Sequence, residues 1–349
     1  APYLDTFPFI YLYNVTVGFK SEPIVIATAN AATTNTGDLA NAIAAINNSV
    51  AINSEIYGSI FINKEMKYLV VKAVIGFGDR LESLKMYIDY ALKNDLIVHI
   101  DWRDSIWCHN NETFYKYFQL TDLKQVLTID EIPKDLRIFP TFWQDKLDTI
   151  LTEDIIKNNH KEIELNKLEG NYDCDILVVT SYGIRTIYND YSFFYNRFKI
   201  IDSRISQEVV QRQSKYNLQD KWGIHLRGSD RAKSYDFKLK RFMELNIKLV
   251  HNGILGGQKC IAVSDDPDYI KLWKSRYPTF EILSSGTKSS KATHLLTKDE
   301  LNETKDEMNI NLLIDFFTLC SCKKVFSTNL DSRFALEAQR TKPFINRIL

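Results

Sequence analysis

From residue 67 onward, short apolar runs alternate with longer amphipathic stretches, the pattern of strands threaded through helices. Residues 67–75 are β-branched and apolar, Gly76-Phe77-Gly78 breaks the run, 79–93 has helical periodicity and 96–100 is apolar again. Together they predict a βαβ unit. Further strands are predicted over 175–180, 222–226, 260–263, 280–283 and 324–327, and helices over 203–214, 240–251, 267–276, 308–319 and 332–340. The charged stretch 121–168, punctuated by Pro133 and Pro140, reads as helical in character. Residues 1–65 follow neither pattern; 27–54 is rich in Ala, Asn and Thr, with one helix predicted over 38–47 and no chemistry attached. The expected architecture is α/β: an N-terminal extension (1–65), then two Rossmann-like domains, 66–204 and 205–349. No internal repeat of fixed period is present.

Composition changes this picture little. The 349 residues are 45% hydrophobic and 25% charged, ordinary for a globular chain. Lys+Arg and Asp+Glu are equal at 44 each, so no global field attracts polyanions and no nucleic-acid partner is expected. No apolar run is long enough to predict a membrane-spanning helix. The five cysteines (Cys108, Cys174, Cys260, Cys320 and Cys322) are irregularly spaced and read as reduced thiols. That points to the cytoplasm, or to a chain excised from something longer, since it begins Ala1-Pro2-Tyr3 without Met. The sequons at Asn14, Asn47, Asn111 and Asn302 add nothing without a sign of secretion.

Chemistry concentrates at the predicted strand ends. Ile224-His225-Leu226-Arg227-Gly228-Ser229-Asp230-Arg231 places a ring, a guanidinium and a carboxylate beyond one strand, where open α/β sheets bind ligands. A guanidinium fork matches phosphate oxygens, which makes this a candidate diphosphate site. Ser264-Asp265-Asp266-Pro267 ends the next strand and opens a helix. One Asp with Pro267 is a complete helix start, and the other is available to accept from the paired N–H donors of a guanine edge. Ser327-Thr328-Asn329-Leu330-Asp331-Ser332-Arg333-Phe334 offers a second cradle at a helix N-terminus. Gly76-Phe77-Gly78-Asp79-Arg80-Leu81 lies between a strand and a helix, but Leu81 stands where a dinucleotide fingerprint needs its third glycine. Asp101 is spaced to serve as its ribose carboxylate, so an NAD-type oxidoreductase is one reading of that turn. Asp173-Cys174-Asp175 precedes an apolar strand instead of following one, and is not read as a metal site. The aromatic runs 102–107 and 114–118 suit either core packing or acceptor recognition.

These segments resemble the peptide motifs of the α1,6-, α1,2- and protein O-fucosyltransferase superfamily. His225-Leu226-Arg227-Gly228-Ser229-Asp230-Arg231 resembles its first motif, Ile261-Ala262-Val263-Ser264-Asp265-Asp266-Pro267 its second, and 314–334, ending in Ser332-Arg333-Phe334, its third. The Gly76–Leu81 turn is similar to the glycine turn of its N-terminal domain. The region after the second motif is similar to the α1,6 enzymes of N-glycan cores and of rhizobial nodulation. The likeness covers roughly residues 66–340 and is patchy between 105 and 200. Gly228 departs from it, standing where the α1,6 enzymes carry a second arginine, and residues 1–65 match nothing in it.

The resemblance implies a GT-B fold of two Rossmann-like domains facing a cleft. It implies an inverting, metal-independent transfer of L-fucose from GDP-β-L-fucose to an oligosaccharide or glycoconjugate acceptor, with no other cofactor. The donor set it implies is Gly76, Phe77, Gly78, Arg80, His225, Arg227, Asp265, Asp266, Ser284, Ser332, Arg333 and Phe334. Arg227 is assigned to the diphosphate, with Asp230 orienting Arg227 or Arg231. Asp236 is the candidate general base, with Asp101 and Asp104 as alternatives. The competing expectations are another donor such as GDP-mannose, the oxidoreductase, and a non-catalytic glycan-binding domain.

Overall fold

In the computed structural model, β1 (Tyr68–Lys72) is buried along its whole length. A strand apolar on both faces belongs inside a parallel sheet covered on both sides. Accordingly β1 lies between β2 (Ile97–Asp101) and β5 (Ile176–Thr180), with β4 (Ile138–Phe139) outside β5, all parallel. The structure describes residues 67–74, 76–104, 106–163, 168, 172–180, 187–228, 234–254, 259–284, 289, 296, 299–300 and 303–349. The helix predicted over 38–47 lies outside them.

Helix α1 (Phe77–Asn94) joins β1 to β2, and α2 (Glu153–Ile163) precedes β5. A short antiparallel ribbon pairs β3 (Phe118–Leu120) with β6 (Phe198–Ile200). After α3 (Ser203–Tyr216) comes a second parallel sheet, ordered β8 (Cys260–Ser264), β7 (Trp222–Leu226), β9 (Lys324–Ser327). Helix α4 (Tyr235–His251) links β7 to β8, α5 (Pro267–Arg276) follows β8, α6 (Lys305–Cys320) leads into β9 and α7 (Arg333–Thr341) leaves it. In both sheets the first strand takes its next neighbour on one side and a later strand on the other. That reversal opens a crevice beyond the strands' carboxyl ends, between β1 and β5 in one sheet and between β7 and β9 in the other.

Strand alternation sorts the core. Leu69 and Val71 of β1 join one large apolar cluster that also takes Ile261 and Val263 of β8 and Phe316 and Phe317 of α6. Tyr68 and Val70 face Trp143 and Ile156 instead. On the far side of the second sheet, Ile224, Leu226 and Ala262 pack on Phe242, Leu245 and Trp273 of α4 and α5. One apolar cluster therefore serves both sheets.

The seam between the sheets is the contact of α1 with α7. Gly78 permits it: a Cβ there would stand 2.6 Å from the Arg333 carbonyl carbon and the Phe334 nitrogen. Farther along, Lys85 is ion-paired with Glu337, both side chains almost fully buried. Glu82 receives Arg333 at 3.2 Å and Arg340 at 3.1 Å. Burial pushes the Lys85 ammonium below its ordinary range, against the pull of Glu337.

Most expected elements stand within a few residues of their predicted ends. Stretch 121–168 differs: among its described residues α2, kinked at Asn159, is the one α-helix, and the rest is short strand, single 3-10 turns and loops, with Asp122 and Asp145 in left-handed backbone. Its Asp and Pro residues serve turns better than helix interiors. The strand expected over 280–283 is reduced to a single bridge, Ile282 to Ala262. The aromatic runs are mostly core, with Trp102, Phe114, Tyr117 and Phe118 fully buried.

Removing one partner of a buried ion pair strands the other in low dielectric, at a cost of about 3–5 kcal/mol. Lys85→Met and Glu337→Leu should each lower the denaturant-unfolding free energy by about that much, and the double variant by less than either. Additive losses would show that the two groups act independently.

Candidate functional site

The cavity sits where the seam meets the carboxyl ends of β7, β8 and β9. Its lining includes Gly76, Phe77, Gly78 and Asp79 from the α1 turn, His225 and Arg227 from β7, and Asp265 from β8. Asn329, Asp331, Ser332, Arg333 and Phe334 close it from the α7 turn, and Asn309, Leu312 and Asp315 from α6.

Each strand end is held by its neighbours. The Arg227 N–H donates to Thr328 Oγ1 at 2.8 Å, tying the end of β7 to the turn after β9. The Arg227 guanidinium contacts Asp265 Oδ2 at 3.3 Å and is about one-fifth exposed. Residue alternation turns His225 away from Ile224 and Leu226, toward Phe334, whose ring lies 4.9 Å from it. His225 Nδ1 shares a hydrogen bond of 3.0 Å with the Ser332 hydroxyl. That hydroxyl also accepts from the Ala335 N–H at 3.3 Å as the N-cap of α7. Burial, with Arg227 nearby, pushes the His225 pKa down to about 3, so the ring is neutral at pH 7.

Among the described lining residues, the carboxylates of Asp79, Asp265, Glu303, Asp315 and Asp331 outnumber the guanidiniums of Arg227 and Arg333. Much of that charge is answered from the protein. Besides the Arg227–Asp265 contact, Arg212 meets Asp315 at 3.2 Å and the Asn311 amide donates to Glu303 at 2.7 Å. The arrangement suits a ligand with an acidic segment beside Arg227, Arg333 and the N-terminus of α7, and with hydrogen-bond donors toward the carboxylates.

The expected donor residues divide accordingly. Gly76, Phe77, Gly78, His225, Arg227, Asp265, Ser332, Arg333 and Phe334 line the cavity. Asp266 does not: it is fully buried, caps α5 by accepting from the Asp268 and Tyr269 N–H groups, and pairs with Lys238 at 2.6 Å. Its carboxylate also fills the space where a Gly228 Cβ would stand, at 2.1 Å, so the arginine expected of the α1,6 enzymes has no room. Arg80 is buried too, its guanidinium 2.6 Å from Asp104 and lying over the Trp102 and Trp107 rings. Ser284 accepts from the Ser264 N–H outside the lining.

None of the expected general bases that the structure describes lines the cavity. Asp236 is exposed in the first turn of α4. Asp101 is buried against Lys72 at 2.7 Å and Arg103 at 2.8 Å. Asp104 is held by Arg80 and accepts from the Trp107 N–H at 2.8 Å. Asp230 and Arg231 lie outside the described residues. Gly78 admits the Arg333–Phe334 backbone against its turn, so close approach of a neighbouring helix accounts for that glycine. Asp173 and Asp175 both pair with Arg137. The cysteines form no disulfide, no described helix is long and apolar enough to cross a membrane, and no described cluster of metal-ligating residues is present.

Sequence reading passed over Asn309 and Asp315, and weighed Trp107 only as part of the aromatic run 102–107. A signal was there for Asp315, a lone carboxylate within the apolar helical run Leu312–Leu319.

The buried neutral histidine has a sign that can be checked. His225 binds its proton near pH 3 when folded and near 6.5 when unfolded, so its contribution is complete above 6.5 and is lost as pH falls toward 3. Relative to His225→Phe, the wild-type chain should lose stability between pH 7 and 4.5, by up to about 1.4 kcal/mol per pH unit. Parallel urea-unfolding series at several pH values measure this, and equal slopes would place the ring in solvent contact.

No family model matches this chain, and no curated protein matches it. Solved structures do. The fucosyltransferase NodZ from Bradyrhizobium superposes with a TM-score of 0.58 at 17% identity, covering 78% of this chain and 92% of NodZ. A structure of NodZ α-1,6-fucosyltransferase soaked with GDP-fucose gives a TM-score of 0.56 at 16% identity, covering 81% of this chain and 93% of that one. The NodZ structure co-crystallized with GDP gives the same values. By these superpositions this chain has the fold of the NodZ fucosyltransferases.

Proposed function

We propose that this chain is a fucosyltransferase that moves L-fucose from GDP-β-L-fucose to a hydroxyl of a glycan acceptor, on a GT-B arrangement of two lobes. The observation that carries this reading is the grouping of Arg227, His225, Ser332 and Arg333 with Asp265 at the reversal point of the second sheet. A guanidinium has five N–H donors, so Arg227 can keep Asp265 and still present donors to a diphosphate. Arg333 and the first turn of α7 face the same space. Asp265, beside the β8 end, suits the N–H edge of guanine.

The reaction is a single displacement at the anomeric carbon, with inversion. The bond to the GDP oxygen breaks as the acceptor oxygen bonds, and negative charge grows on the β-phosphate. Fixed cations and N–H dipoles around that phosphate lower the barrier, without a metal. The acceptor proton needs a carboxylate within reach. Asp79, in the first turn of α1, replaces Asp236 as the candidate, because it lines the cavity on the first-sheet side.

Melting curves in a chelator test the donor class. GDP and GDP-fucose at a hundred times Kd should each stabilise the fold by about 2.7 kcal/mol. A response to GDP-mannose, UDP or NAD in place of these would overturn the reading. Arg227→Ala should lower kcat/KM for transfer from GDP-fucose by roughly tenfold or more with the fold retained. Turnover near the wild-type value would remove Arg227 from the diphosphate.

A further inference from the structure

The cavity holds two buried polar atoms that the donor reading leaves unused. Asn309, on α6, lines the cavity and is 0% exposed. Its Nδ2 donates to the Trp107 carbonyl at 2.8 Å, with the Tyr117 hydroxyl at 3.4 Å. A carbonyl demands a donor, so that bond fixes the amide with Oδ1 as the acceptor, and Oδ1 has no hydrogen-bond partner. Trp107 lines the same cavity. Phe77 stacks on its ring at 5.9 Å and the Arg80 guanidinium lies over it at 5.5 Å, yet its Nε1–H is buried without an acceptor. Leaving such groups unmade costs about 1–3 kcal/mol each, a cost that a partner bound in the cavity would relieve.

An unpaired acceptor and an unpaired donor, on two residues lining one cavity, describe the partner. A phosphate oxygen only accepts, and Asn309 Oδ1 would face it unfavourably. A hydroxyl both donates and accepts. Leu312 and Met308 supply apolar surface beside the pair. The guanidiniums of Arg227 and Arg333 belong to the strand-end and α7 parts of the cavity, whereas Trp107 follows β2 and Asn309 is anchored to it. We propose that Asn309 and Trp107 form the subsite that reads one ring hydroxyl of the transferred sugar, which rests on the nucleotide-sugar reading of the cavity. The hydroxyl donates to Asn309 Oδ1 and accepts from Trp107 Nε1–H.

Trp107→Phe removes the N–H and keeps the aromatic packing; Asn309→Ser removes the amide acceptor and keeps a donor for the Trp107 carbonyl. Calorimetric affinities are measured for GDP, GDP-fucose and the GDP-fucose analogues that each lack one ring hydroxyl. With the wild-type chain, one analogue should bind roughly fivefold more weakly than GDP-fucose for each hydrogen bond lost. With either variant that analogue's penalty should shrink while the penalties of the others persist. Wild-type affinity indifferent to every deletion, or penalties in both variants equal to those of the wild-type chain, would overturn the subsite. Absence of GDP binding by the wild-type chain would overturn the donor reading together with it, and is told apart by that first titration.

Discussion

The α1–α7 seam is the constraint on which the rest of the structure depends. Two parallel sheets, each with its own crevice, present nothing jointly unless their carboxyl ends are held toward one space. Gly78 lets the backbone of Arg333 and Phe334 approach α1 more closely than any side chain would allow. The buried Lys85–Glu337 pair and the Glu82–Arg333–Arg340 group then fix the contact at one register. Buried ion pairs add little net stability because desolvation offsets attraction, but any displacement that separates them leaves a charge without solvent or partner. The same contact brings Arg333 and the start of α7 against the Gly76 turn, so the geometry that joins the sheets also builds the cavity wall.

Around that seam the electrostatics are divided by depth. Fully buried groups are spent on architecture: Asp266 on the start of α5 and on Lys238, Arg80 on Asp104, and Lys72 on Asp101. Arg227 and Asp265, in contact with each other, keep partial exposure and line the cavity. His225 stands between these classes. Its ring is buried and neutral, and it sets the Ser332 hydroxyl that starts α7.

Much of the fold was legible in the chain because strand and helix periods differ and the apolar runs of both sheets are long enough to show them. The irregular stretch 121–150 was not, since turn-forming Asp and Pro carry no period. The site was legible where chemistry sits at strand ends, as with His225, Arg227 and Ser332. It failed where a residue's role depends on depth. Asp265 and Asp266 are adjacent and identical, yet one lines the cavity and the other is sealed beneath Gly228. Asp101, Asp104 and Asp236 read as available carboxylates, whereas two are locked in buried pairs and the third faces outward.

By itself the sequence determined the alternation of strands and helices, the strand ends that carry polar groups, and the absence of a global charge to draw polyanions. These are local properties, set by side-chain periodicity and by residue types within a few positions of one another. Only the tertiary structure decided which of those groups meet. Asn309 and Trp107 are separated by some two hundred residues, as are Gly78 and Arg333 by more, and a contact across such distances exists only once both sheets have packed on one core. Burial, which turns one carboxylate into a cap and leaves its neighbour for a ligand, is a property of that packing and of no single segment.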